Sequence, residues 1–139
     1  MSRLVVDCSV AACWCIDDEI SAYAEAALDR VRDEGGVMPA LWVYEMTNVF
    51  RVAERRSRMT AEQADQLLEF LSALPIQIVG IDGLEGQRGV LELARAHNLS
   101  AYDATYLHLA METGLPLASL DRALISAARK AKGPVFEPG

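Results

Sequence analysis

Two kinds of apolar run alternate along the chain. Short ones, "RLVVD" at 3–7, "IQIVGI" at 76–81 and "PLASL" at 116–120, have the length and composition of buried strands. Longer ones repeat every three or four residues, the spacing of a helix with one buried face. After the first strand the pattern predicts an apolar helix over about 9–16, broken by "DDE". A second helix carries Ile20, Ala24, Ala27, Leu28 and Val31 on one face and stops at "DEGG", with Gly35 and Gly36 as C-terminal caps. "VMPA" is short and extended, because Pro39 keeps Met38 out of the helical region.

A helix follows from Leu41 to about Arg56. Thr60 and Gln63 then form a capping box ahead of a helix whose Ala64, Leu67, Leu68, Leu71 and Leu74 make one stripe. Pro75 ends it. Beyond the strand at 76–81 the pattern predicts helices over 84–97 and 101–113, the latter closed by Gly114 and Pro116. A helix over 121–130 follows "PLASL", and "PVF" is a candidate final strand. Strands separated by helices predict one α/β domain over residues 1–139, a central, mostly parallel sheet of about four to five strands flanked by helices.

Composition narrows the setting. Hydrophobic residues make up 52% and charged residues 24%, a globular balance rather than a disordered one. No apolar run approaches the roughly 18 residues of a membrane span. Asp7 interrupts the apolar stretch "MSRLVVDCSVAACWC", which reads as a buried strand rather than a secretory leader. A cytoplasmic protein with no membrane association is the expectation. Cys8, Cys13 and Cys15 lack the paired C-x-x-C spacing of a zinc site and read as small buried hydrophobes in a reducing compartment. The net charge of −7 argues against nucleic-acid binding by bulk electrostatics, and leaves open a concentration of acids at a metal site.

Four acids are placed where such a site forms. Ligands of an open parallel sheet collect beyond the carboxyl ends of its strands. Asp7 closes the first strand, Asp121 follows "LASL", Asp103 opens the helix leading back to that strand, and Glu45 lies near the start of the helix after "VMPA". Capping accounts for part of this: Asp121 suits an N-cap, Ser100 and Asp103 make S-x-x-D, and either Asp7 or Ser9 caps the first helix. Glu45 is harder to dismiss. Its helical neighbours Leu41, Trp42, Asn48 and Val49 are mostly apolar and include no cation. Crowded carboxylates without basic partners repel one another, and a hard divalent cation such as Mg²⁺ or Mn²⁺ reverses that cost. Ser9 and Ser119 are candidates to orient ligands or waters around it.

The stretches "VVDCSVAACW", "PALWVYEMTNVFR", "LSAYDATYLHLA" and "GLPLASLDRAL" resemble, in order, the acidic motifs of PIN-domain ribonucleases, above all the VapC-like toxins of toxin–antitoxin pairs. The similarity covers nearly the whole chain. It implies a Mg²⁺- or Mn²⁺-dependent endoribonuclease acting on RNA, with Asp7, Glu45, Asp103 and Asp121 as metal-binding acids. Ser9, Ser119 and Asn48 match supporting polar positions. The resemblance also implies a homodimer and a small antitoxin protein that masks the site. Two departures bear on whether one or two metals bind. Cys13 stands where many relatives have lysine, and "RALISAA" lacks a further acid that some carry.

RNA must still approach an acidic protein. Arg51, Arg55, Arg56 and Arg58 form one basic patch, Arg122 adjoins Asp121, and Arg129, Lys130 and Lys132 form another. Solvated helix faces explain the same residues. The alternative to an enzyme is a catalytically silent binding module that uses the Leu67/Leu71 stripe as a protein surface.

Overall fold

In the computed structural model, which describes residues 1–16 and 21–138, four strands form one sheet. They are β1 (Leu4–Val6), β2 (Gly36–Pro39), β3 (Ile76–Val79) and β4 (Leu117–Ala118), in the order β3-β2-β1-β4 with every pairing parallel. Seven helices among the described residues connect and flank them: α1 (Cys8–Cys15), α2 (Ala22–Glu34), α3 (Ala40–Arg55), α4 (Ala61–Ala73), α5 (Gly83–His97), α6 (Ala101–Thr113) and α7 (Arg122–Lys130). Each crossover between sequential strands carries two helices, as parallel pairing requires of its connections. The predicted break at "DDE" and the place of Ile20 on the second helix lie outside the described residues.

Helix ends follow the chemistry of their caps. The Ser21 hydroxyl accepts from Ala24 N–H to start α2, and Gly35, at φ 103°, ends it in a conformation that a side chain would strain. Thr60 and Gln63 form the full capping box at α4. Gly114, at φ 69°, closes α6 in the left-handed region.

Both faces of β1 are covered, so Leu4, Val5 and Val6 are fully buried, and the core spreads outward from them. Trp42, Met46 and Phe50 line the inner face of α3, while Tyr106, Leu107 and Ala110 do so on α6. The predicted strand "PVF" reduces to a single bridge between Leu117 and Val135. Leu117 N–H donates to the Pro134 carbonyl and Phe136 N–H to the Leu117 carbonyl. With β4 only two residues long and Pro134 lacking an N–H, the ladder goes no further.

The strand order places the crevice. The chain runs outward from β1 to β2 to β3, then returns to the other side of β1 as β4. The switch point lies between β1 and β4, and a ligand site is expected beyond their carboxyl ends.

Candidate active site

Asp7 and Ser119 stand at that point, directly after β1 and β4, and both are buried. Asp7 N–H donates to the Ala118 carbonyl at 3.1 Å, which continues the β1–β4 ladder into the site. Asp7 is the N-cap of α1, with Oδ1 accepting from Val10 N–H at 3.3 Å. This decides between the two possible caps: Ser9 lies inside the helix, free for another role.

That role is a brace. The Ser9 hydroxyl donates to Asp7 Oδ1 at 2.6 Å and accepts from Leu120 N–H at 2.9 Å. The Ser119 hydroxyl donates to Asp7 Oδ2 at 2.5 Å and accepts from Asp121 N–H at 3.0 Å. Two serines from opposite ends of the chain thus tie the β1–α1 junction to the β4–α7 junction and hold both oxygens of one carboxylate. Burial nevertheless raises the Asp7 pKa, against the Ser119, Ser9 and Val10 hydrogen bonds that lower it. The Asp103 charge raises it further.

Asp121 caps α7, its Oδ1 accepting from Ala123 and Leu124 N–H at 2.9 and 3.2 Å. Oδ2 takes no part in the cap. At α6 the cap is Ser100, whose hydroxyl accepts from Asp103 N–H at 3.1 Å. Asp103 sits in the positive first turn. Burial raises its pKa first, the Asp121 charge next, while Ser100 opposes both. Capping and convergence are therefore compatible, because the caps set these acids on one rim.

Glu45 lies near the start of α3 and is half-buried. Its Oε1 accepts a hydrogen bond from the hydroxyl of buried Tyr106 on α6. The sequence pattern does not reveal this partner; Asn48, the polar neighbour of Glu45 on the same helix, is exposed and makes no hydrogen bond to it among the described residues. Burial and the Glu45 carboxylate push the Tyr106 phenol far above its ordinary pKa, so it stays a donor. Glu45 and Asp7 also raise the pKa of the nearby Cys8 thiol, which burial first pushes up, to about 12. Cys8 donates to Met46 Sδ at 3.6 Å, and burial lifts Cys15 to about 11, so neither thiol is a nucleophile at neutral pH.

No salt bridge reaches Asp7, Glu45, Asp103 or Asp121 among the described residues. The set offers only oxygen donors. Among the described residues no three His, Cys, Asp or Glu side chains stand close enough to hold an ion between them as placed. An all-oxygen set is the donor chemistry of hard divalent cations such as Mg²⁺ rather than of softer metals. The residues fit that chemistry.

The basic residues divide. Arg51 is held by Glu54 at 3.3 Å, whereas Arg55 and Arg56 are exposed at the end of α3. Arg122 is exposed beside Asp121.

The PIN domain family matches residues 4–130. The chain belongs to the PIN-domain family. It is 31% identical over 126 residues to Ribonuclease VapC3 of Pyrobaculum aerophilum, covering 88% of this chain and 92% of that protein. The PIN fold recurs in the crystal structure of PAE2754 from Pyrobaculum aerophilum, with a TM-score of 0.64 and 22% identity over 91% of this chain and 79% of the other. The four-strand parallel sheet is thus the PIN sheet, and the acid rim lies at its switch point. No helix among the described residues is long and apolar enough to cross a membrane.

Proposed function

We propose that this PIN domain is a metal-dependent endoribonuclease that hydrolyses RNA phosphodiester bonds, the toxin of a VapC-like pair restrained by a small antitoxin protein. The reading includes a homodimer acting in the cytoplasm. The observation that carries it is the acid rim: the charges of Asp7, Asp103 and Asp121 act on one another, Glu45 and Asp7 both act on Cys8, and none of the four has a basic partner among the described residues. The relative named as a ribonuclease supports the substrate class.

Asp7, Asp103 and Asp121 would hold Mg²⁺ or Mn²⁺, directly or through water. Such an ion supplies a water acidic enough to ionise near neutral pH and charge stabilisation at phosphate oxygens. Ser9 and Ser119 fix the Asp7 carboxylate, so its orientation costs nothing during the reaction. Tyr106 does the same for one oxygen of Glu45, leaving the other to complete the ligand set or to orient the attacking water. The mutual repulsion of Asp7, Asp103 and Asp121 is relieved when a cation is present.

The test is cleavage of labelled RNA by the purified chain, free of antitoxin, with Mg²⁺ or Mn²⁺ supplied. Cleavage that stops on adding EDTA is expected. Cleavage that persists in excess EDTA contradicts the metal dependence, and an inert protein contradicts the enzyme.

A further inference from the structure

A groove of about 550 Å³ runs along the outer side of α7 and opens onto the acid rim. Its lining includes Ser119 and Asp121 of the rim, Tyr23 of α2, and Arg122, Arg129 and Lys130 of α7. The nine-residue helix has two faces of opposite character. Leu124, Ala127 and Ala128 are buried, whereas Arg122, Ser126, Arg129 and Lys130 are exposed. Arg122 and Arg129 are seven residues apart, hence on one face and about 10 Å apart along the axis.

In a chain of net charge −7, this is a local reversal of sign that begins beside Asp121. Tyr23 is held in place. The Tyr23 hydroxyl donates to the Phe136 carbonyl at 2.9 Å, and the two rings stand 5.5 Å apart, centre to centre. A fixed aromatic ring lining the same groove as a row of cations suits a single strand, whose bases stack while its phosphates meet guanidinium groups.

We propose that this groove binds the sugar–phosphate backbone of single-stranded RNA on the Asp121 side of the cleaved bond, with Arg122 and Arg129 contacting phosphates. The assignment rests on the ribonuclease reading and adds the path by which the substrate leaves the acid rim. Arg129 at present pairs with Glu137 at 2.8 Å. The pair is exposed and so weakly held, and a phosphate that accepts two guanidinium hydrogen bonds replaces it. Glu137 is therefore a competitor of the RNA.

The experiment measures affinity by anisotropy of a short fluorescein-labelled single-stranded RNA, in EDTA to prevent cleavage, across a salt series. Cleavage by the unaltered protein with Mg²⁺ or Mn²⁺ is measured alongside. Removing two phosphate contacts from a single strand flattens the salt slope by about 1.4 and weakens binding on the order of 20-fold at 0.1 M salt. R122Q/R129Q is expected to show this, and the charge-matched R88Q/R95Q on α5 is not. Glu137→Gln is expected to tighten binding a few-fold, and to lose that gain in an Arg129→Gln background. Equal affinity and salt slope for R122Q/R129Q and R88Q/R95Q, in a protein whose parent cleaves RNA, overturns the groove and leaves the ribonuclease reading intact. A parent that neither cleaves nor binds RNA overturns both.

Discussion

The Tyr106 hydroxyl donates to Oε1 of Glu45, joining the middle of α6 to the start of α3. A half-buried carboxylate with one oxygen fixed and no salt bridge among the described residues is oriented rather than neutralised. Tyr106→Phe removes only that constraint, since the ring is enclosed by core. We expect kcat to fall by about 10- to 100-fold, as for other partners that orient site carboxylates. Stability should change by no more than about 1 kcal/mol. Parallel measurement of RNA cleavage and thermal unfolding checks both, and unaltered kcat assigns Tyr106 to the core alone.

Asp7 gives a prediction with a sign. Burial raises its pKa in the folded state, so the folded protein binds this proton more tightly than the unfolded chain does. The stability contributed by this group is full below the ordinary carboxyl pKa and is lost as pH rises through the raised value. Asp7→Asn mimics the protonated form. We expect it to abolish cleavage while leaving the melting temperature near neutral pH equal to or above that of the parent, with the advantage disappearing in acid. A lower melting temperature at pH 7 than at pH 4 for Asn relative to Asp contradicts this.

The serine brace separates structure from chemistry. Ser119→Ala frees Asp7 Oδ2 and leaves Asp121 N–H without its acceptor, whereas Ser9→Ala leaves Oδ1 with the Val10 N–H alone and Leu120 N–H unpaired. Each loses two hydrogen bonds, costing about 1–3 kcal/mol. Each should also weaken Mn²⁺ binding or activity by about 10- to 100-fold. Calorimetric titration with Mn²⁺ reads the second effect independently of turnover.

Ion binding should itself stabilise the fold. A ligand of the folded state at one hundred times its dissociation constant adds about 2.7 kcal/mol, on the order of 10 °C in melting temperature for a chain of this size. Because Asp7 and Asp103 hold their protons more tightly than free carboxyls, binding releases protons and tightens as pH rises. Differential scanning of the protein with Mg²⁺, Mn²⁺ and EDTA at several pH values measures both effects.

Strand-end acids were legible because the parallel sheet fixes where its ligands collect, and Asp7 and Asp121 stand directly after apolar runs. The identity of the first cap was not, since Asp7 and Ser9 both suit the position, and only the reach of Ser9 to Leu120 N–H separates them. Tyr106 was hidden by its surroundings. It sits in a helix that reads as core, and its partner lies 61 residues away. The available signal was helical spacing: Tyr106 is three residues after Asp103, on the same face, with a polar tip that needs a partner when buried. The groove along α7 was invisible for a different reason. Its aromatic member, Tyr23, is fixed by Phe136, 113 residues away in sequence.

In the proposed enzyme Asp7, Glu45, Asp103 and Asp121 act as one ion-dependent site on RNA. Its most direct test is RNA cleavage with Mg²⁺ or Mn²⁺ by Asp7→Asn, Glu45→Gln, Asp103→Asn and Asp121→Asn, each shown folded by circular dichroism. Every one of the four is expected to lose at least about 100-fold in rate, and the parent to lose its activity in EDTA. Any of the four folded variants cleaving RNA at the parental rate contradicts it.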